Sequence, residues 1–413
     1  MQTVGAARPG VSAADRPTGA GREGQAAADA PGRRIAFGTL TWMHFVNDGL
    51  SAFLPGVLPF LAARRGVPLA WAGGLMTALL IGQVLQPLAG AWADRLGGRR
   101  LIVWGPMLGA VGTVALAFVP SIPLVAASLF LIGIGSTLFH PQALAAARTL
   151  SGRREGTLMS AFLVGGELGR ALGPLAAGLL AVHLGLGRLW LLALPLALTW
   201  PWIWRRLPRL PVRRGPVAHI AWRRHGRRMG ALVAFGTLRA TAMYGIITLV
   251  PLFWHAQGGS LVTGAALVTT LVGVGIAGNL TGGMVADRWG RWHVLAGSSL
   301  LSAALLVLFA HAHGFWMWPT LAATGIALFS TLPVTTLVGQ DIFAENPALG
   351  SGVALGLANG LGAVLLLPLS LAAAAWGIDA GFWIIVGLML CALPFVSAMG
   401  VGRLREPRAD MAG

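Results

Sequence analysis

Charge is what this sequence has least of. Only 10% of its 413 residues are Asp, Glu, Lys or Arg, against about 25% in a soluble domain. With 56% of the chain apolar, that shortage excludes a water-soluble globule of this length. Lysine is missing altogether, and all 30 basic residues are arginine, which fits a biased genomic composition. The net charge of +17 marks no nucleic-acid surface, because no folded soluble region remains to carry one. Cysteine occurs once, at Cys391 inside an apolar run. That excludes an intrachain disulfide and suggests a small buried packing residue. Residues 1–35 lack the apolar core of a secretory signal. Rich in Ala, Gly and Pro, they are expected to form a disordered cytoplasmic tail. No metal-ligand spacing and no nucleophile constellation stands out, so an enzyme is not expected and no cofactor or metal is implied.

What the chain does have is apolar length. Twelve runs approach or exceed the ~20 residues that cross a bilayer: roughly 36–62, 70–93, 101–118, 122–148, 156–183, 188–204, 230–256, 262–286, 293–311, 315–340, 350–376 and 380–402. Backbone groups in lipid must be satisfied within their own segment, so these runs are expected to be helices. Placing the N-terminus in the cytoplasm puts 25 of the 30 arginines inside, as the positive-inside rule requires. Arg64, Arg65 and Arg188 fall outside, and Arg170 and Arg239 fall within spans. An even number of spans returns the C-terminus to the cytoplasm. The expected layout is a tail at 1–35, a six-helix bundle at 36–204, an Arg-rich linker at 205–229, a second bundle at 230–402 and a tail at 403–413. The nine arginines of the linker are an inside-positive signal and also suit anionic lipid headgroups.

The two halves repeat. GAWADRLGGRR at 90–100 and GMVADRWGRWH at 283–293 share Gly90/Gly283, Asp94/Asp287, Arg95/Arg288 and Gly97/Gly290 at a constant offset of 193. Gly156, Gly166 and Pro174 match Gly350, Gly360 and Pro368 at an offset of 194. Two pseudo-symmetric six-helix bundles are expected, giving an all-α membrane protein built for alternating access. The pattern G-x-x-x-D-R-x-G-x-R-R, carried by Gly90, Asp94, Arg95, Gly97, Arg99 and Arg100, resembles the loop signature of the major facilitator superfamily. The second copy, with Asp287 and Arg288, departs from it at Trp292 and His293. Gly169, Gly173, Pro174 and Gly178 resemble the helix-5 motif of that superfamily's antiporters, although Ala177 replaces a glycine and Leu129 stands where many antiporters have arginine. HFVND at 44–48, QVLQPLAGAWADR, GIGSTLFHP at 133–141 and SAFLVGGELGRALGP resemble the fosmidomycin-resistance type of exporter. The resemblance implies a bacterial cytoplasmic-membrane protein, monomeric by superfamily default. It would export drugs or small organic anions against protons and partner only lipid, substrate and protons. It also implies that Asp94, Arg95, Arg99, Arg100, Asp287 and Arg288 gate the cytoplasmic side. The competing expectation, on the same fold, is an uptake symporter or facilitator for a metabolite.

Ionisable groups at bilayer depth are costly, so their positions carry information. His44, Asn47 and Asp48 lie in the first span, His140 in the fourth, Glu167 and Arg170 in the fifth, Arg239 and Tyr244 in the seventh. His44 and Asp48 share a helix face at i, i+4. They form either a proton or substrate site or a structural polar cluster. Glu167 and Arg170, at i, i+3, either pair with each other or leave Arg170 to Asp48 or to an anionic substrate, which its planar fork suits. Arg239 either snorkels to the inner surface or supplies a second substrate cation. Tyr244 is either a cavity donor or core packing. His140 either relays protons or bonds backbone freed by Pro141.

Overall fold

The computed structural model describes residues 31–86, 88–89, 98–151, 155–207, 222–344 and 347–401. The described residues form twelve helical rods, numbered α1 to α12, with no strand among them. In the first half, α1 runs Pro31–Ala52 and continues past Phe53 through a 3₁₀ turn, Leu54–Gly56, into Leu58–Arg65. α2 is Leu69–Leu80 with a 3₁₀ extension Ile81–Leu85. α3 is Gly98–Phe118, α4 Ile122–Ser151 and α5 Glu155–Leu184. α6 joins Leu186–Ala193 to Leu194–Arg206. In the second half, α7 is Trp222–Ala256, α8 Leu261–Trp289 and α9 Arg291–Ala310. α10 joins Gly314–Trp316, Met317–Phe329 and Thr331–Ile342. α11 joins Pro347–Ser351, a π turn Gly352–Leu357, Ala358–Val364 and Leu366–Trp376. α12 joins Ile378–Cys391 and Leu393–Ala398.

Nine of these rods are long and apolar enough to cross a membrane. The other three are α1, broken at Phe53, α2, whose description stops at Ala89, and α5, which carries Glu167 and Arg170. Two expected boundaries move. α1 begins at Pro31, inside the expected tail, because proline at the first helical position lacks only an N–H that has no partner there. α7 begins at Trp222, because arginine is a good helix former and lets the rod continue beyond the apolar run. Much of the expected linker is therefore helix, and residues 208–221 lie outside the described ones. Cys391 is exposed, not buried; it sits on the outer face of α12, where lipid replaces protein contact.

Packing follows the repeat. Within the first half, α1 packs on α5 and α3 on α4; within the second, α7 packs on α11 and α9 on α10. The halves meet where α5 crosses α8 and where α2 crosses α11. The expected small-residue motif lies in these contacts. A Cβ on Gly169 would stand 2.0 Å from the Phe45 carbonyl oxygen, so only glycine lets α5 touch the α1 backbone. Gly173 abuts Gly49, Gly56 abuts Pro174, and Gly178 reaches Ala265 of α8. Two hydrogen bonds then tie the halves symmetrically. The Thr77 hydroxyl donates to the Ala363 carbonyl at 2.6 Å, and the Thr269 hydroxyl donates to the Ala171 carbonyl at 2.7 Å. Both partners are related by an offset of 192 residues.

The apolar cores differ between the two ends. One cluster draws on both halves, from Phe53, Leu54 and Leu75 through Ala177 to Leu249, Leu271, Phe309 and Phe382. It fills the end of the bundle away from the arginines. At the Arg-rich end there are two separate clusters. One holds Leu40, Ile102, Phe139 and Ile203 of the first half; the other holds Leu232, Leu295, Val338 and Val396 of the second. The ties at that end stay inside one half. Arg33 donates to the carbonyls of Thr149 and Leu150, Arg99 to those of Trp204 and Leu207, and Arg228 to that of Met399. Each is an arginine on carbonyls near a helix C-terminus, the favourable sense of the helix dipole. Among the described residues, one core joins the halves at the end away from the arginines, and none joins them at the Arg-rich end.

This contact predicts a crosslink. A Cβ built on Gly273 lies 3.6 Å from the Ala171 Cβ, within the disulfide range of about 3.5–4.5 Å. In a Cys391→Ser background, Ala171→Cys with Gly273→Cys should oxidise readily. After protease cleavage engineered between 208 and 221, the two halves should stay joined until reductant is added. Halves that separate without reductant would contradict the α5–α8 crossing.

Candidate functional site

The site starts from one carboxylate. Asp48 is fully buried in α1, and such a charge persists in a low-dielectric interior only when donors surround it. Four donors do so. Arg170 Nη2 of α5 lies 2.7 Å from Asp48 Oδ2. His140 Nε2 of α4 lies 3.1 Å from Oδ1. Asn47 Nδ2 donates to Oδ1 at 3.0 Å, and His44 Nε2 stands 3.5 Å from Oδ2. Arg170 turns its other nitrogen to Glu167, with Nη1 3.0 Å from Oε1. Both expected pairings of Arg170 therefore coexist, because a planar fork serves two carboxylates at once.

The two histidines are held in one sense by the backbone. His44 Nδ1 lies 2.9 Å from the Phe162 carbonyl oxygen, and His140 Nδ1 lies 2.8 Å from that of Ser136. A carbonyl only accepts, so both Nδ1 atoms carry hydrogen. In a neutral ring, Nε2 is then a bare lone pair, and both Nε2 atoms point at Asp48. A lone pair 3.1 Å from a carboxylate oxygen repels it, so the His140–Asp48 contact requires a proton between them. The His44 ring stacks on Phe162 at 4.2 Å between centroids. It occupies the space a Cβ on Gly166 would take, 2.4 Å from the ring. Three residues with no place in the sequence expectation complete the site: Ser136, which accepts from Asn47 at 3.2 Å, Gln83 and Asn359. The sequence signal for the last two was a carboxamide in the middle of an apolar run.

The donor set of His44, Asp48 and His140 lies within 4.8 Å, and two imidazoles with a carboxylate also suit a divalent transition metal. The fit is poor here. Arg170 already holds Oδ2 and places a like charge beside any dication, whereas a proton satisfies the same atoms.

Glu167 connects the cluster to open space. It lines a cleft of about 200 Å³ between the halves with Ser160, Leu163 and Val164 of α5, Ile276, Asn279 and Leu280 of α8 and Pro333 of α10. Its Oε2 is buried without a hydrogen-bond partner. In the second half, Arg239 does not snorkel: it is 1% exposed, and its Nη2 donates to Asn359 Oδ1 at 2.6 Å. Tyr244 donates from α7 to Gln83 Oε1 of α2 at 3.2 Å. Of the expected gate, Gly90, Asp94, Arg95 and Gly97 lie outside the described residues. Arg99 ties α3 to α6, and Arg100, Asp287 and Arg288 are exposed.

A two-half helical bundle, a central charge cluster and a cleft at the crossing describe a carrier, and the sequence profile of the Major Facilitator Superfamily matches residues 40–366. The chain belongs to the Major Facilitator Superfamily. The uncharacterized MFS-type transporter YfnC of Bacillus subtilis (strain 168) is 27% identical over 336 residues, covering 78% of this chain and 82% of that one. The fosmidomycin resistance protein of Escherichia coli (strain K12) is 26% identical over 336 residues, covering 79% and 83%. The nucleoside transporter NupG (D323A mutant) superposes with a TM-score of 0.76 at 15% identity, covering 88% of this chain and 99% of that one. This superfamily member is thus a multi-pass membrane transporter similar to a resistance protein, and its family and fold are those of transporters, not enzymes.

The central pair is open to direct test. Arg170→Met leaves the buried Asp48 carboxylate without its guanidinium, which costs about 3–5 kcal/mol. The expected outcome is a clear fall in the melting temperature of the detergent-solubilised protein. Asp48→Asn in the same chain should restore part of it. An unchanged melting temperature for Arg170→Met would show that the pair contributes little.

Proposed function

We propose that this protein is a proton-coupled exporter of small anionic or amphipathic compounds, sitting in a bacterial cytoplasmic membrane with its Arg-rich end and both termini inside. The observation that carries the reading is the charge count around Asp48. Asp48 and Glu167 supply two negative charges, and Arg170 supplies one positive charge. Neutrality at mid-membrane needs one more positive charge, and the His140–Asp48 contact is the place that holds a proton. A bilayer penalises an unbalanced charge by several kcal/mol, so the cluster favours the carriage of one exchangeable proton.

The coupling follows from who holds Arg170. Its side chain is about one-third exposed, and Glu167 beside it faces the cleft. A substrate that accepts hydrogen bonds from Arg170, or donates one to Glu167, loosens the grip on Asp48 and with it the shared proton. Substrate in the cleft and proton on His140 then alternate. The inside-negative potential supplies about 2.3 kcal/mol per charge per 100 mV to an anion leaving and to a proton returning. Similarity to the fosmidomycin resistance protein supports export over import. Asp94 and Arg95, with Asp287 and Arg288, would join the halves at the Arg-rich end in the other state, by bonds made in one arrangement and released in the other.

Inside-out vesicles test the mechanism, using compounds to which overexpression confers growth tolerance. With an acid lumen, the compound should accumulate while protons leave. His140→Gln keeps a neutral donor to Asp48 but removes the exchangeable proton. It should cut gradient-driven accumulation at least tenfold and spare downhill exchange. Full gradient-driven transport in His140→Gln would falsify the mechanism. Protons moving in the same direction as the compound would establish the competing reading, a symporter.

A further inference from the structure

Arg239 heads the largest fully buried side chains of the molecule. Among the described residues no carboxylate lies within salt-bridge distance of it. Its Nη2 meets only the neutral Asn359 carbonyl oxygen at 2.6 Å, its Nη1 lies 4.0 Å from Met243 Sδ, and its Nε has no partner. Burying a guanidinium without a counter-charge is far more costly than one amide oxygen repays. The cost is not compensated locally, so the charge is kept for something that brings its own.

The repeat shows what is missing. Contacts between helices set the register of the halves at 192 residues, two short of the offset that aligns Gly166 with Gly360: it relates Thr77 to Thr269 and Ala171 to Ala363, and also Asn359 to Glu167 and Arg239 to Asn47. Where the first half places a carboxylate on its fifth helix, the second half places a shorter, neutral amide. The position is central. Gly356 and Gly360, flanking Asn359 on α11, abut Gln83, Val84 and Gln86 of α2. Gln83 accepts from Tyr244, which interacts electrostatically with Arg170, Arg239 and Glu167.

We propose that Arg239 and Asn359, with Tyr244 and Gln83 at their mouth, form an anion subsite for the carboxylate-class head of a small organic monoanion. The proposal rests on the transport reading above and adds the substrate's charge and its anchor. Among the described residues Arg239 has no counter-charge of its own. A single negative charge balances it. The anion takes the place of Asn359 Oδ1 on the guanidinium once the Tyr244–Gln83 bond opens.

Shape-matched probes of different charge test this at equilibrium, with full-length protein in detergent and no gradient. Benzoate should bind at least tenfold more tightly than benzamide or benzamidine. Arg239→Met should abolish that preference without lowering the melting temperature, since an uncompensated buried charge has been removed. Asn359→Asp supplies an internal carboxylate; it should likewise abolish benzoate binding and raise the melting temperature, which keeps the test decisive if Arg239→Met does not fold. No benzoate preference in the unaltered protein, or a preference that survives Asn359→Asp, would overturn the subsite. His140→Gln separates the two proposals, because benzoate binding should persist in it even where proton-driven transport fails.

Discussion

Everything central in this protein is arranged around the salt bridge between Asp48 and Arg170. A carboxylate with no exposed surface in a membrane helix requires a cation, and the cation is supplied from another helix. That requirement brings α1 and α5 together face to face. The glycines of α5 let the two backbones touch, so the bridge forms at 2.7 Å without a gap. α4 is drawn in by His140, whose ring reaches the second carboxylate oxygen. The remaining members, Asn47, Ser136 and Glu167, fill the donor and acceptor positions that these three leave open. A buried polar network of this kind is costly when half satisfied, which explains why so many of its atoms are paired.

The halves differ in how their central charges are handled. The first half is internally balanced, with carboxylates, guanidinium and imidazole in contact. The second half carries a guanidinium whose partners among the described residues are one amide oxygen and one thioether sulfur. Pseudo-symmetry therefore holds for the backbone and for the threonine ties, and fails for the chemistry. The same contrast appears in the apolar cores: one core bridges both halves at the end away from the arginines, and each half has its own at the other. Each half is packed as a unit, and the seam between them lies where small residues of α5 meet α8 and those of α2 meet α11.

Much of this was legible in the sequence. The Asp-Arg loop repeat and the apolar runs led to twelve helices in two halves, because bilayer thickness and backbone hydrogen bonding leave little freedom. The mid-span positions of Asp48, Glu167 and Arg170 were readable for the same reason: charge there is too costly to be incidental. The pairings of Arg170 with Glu167 and with Asp48 were readable only as alternatives, and that of His140 with Asp48 was not readable. His140 lies 92 residues from Asp48 in the chain, and spacing carries no information about which face of α4 meets α1. Gln83 and Asn359 gave only the weak signal of a carboxamide in an apolar run. The start of α7 was misjudged because hydropathy reports where lipid begins, and an arginine-rich helix continues beyond it. Arg239 looked capable of reaching the surface; packing on α11 buries it instead.

The separation in sequence between the partners of each polar pair also bears on how the chain enters the membrane. Arg170 follows Asp48 by 122 residues, and Asn359 follows Arg239 by 120. At about 5–20 residues per second of synthesis, each early partner waits roughly 6–25 s for its late one. For that interval Asp48 lacks its guanidinium and Arg239 its amide, in helices that have left the ribosome. Until its partner arrives, neither helix is suited to settle fully in lipid, so a sheltered, partly wet path must hold it. The first and seventh helices are thus the slow clients of insertion, and the moment at which α5 and α11 arrive times the assembly of each half.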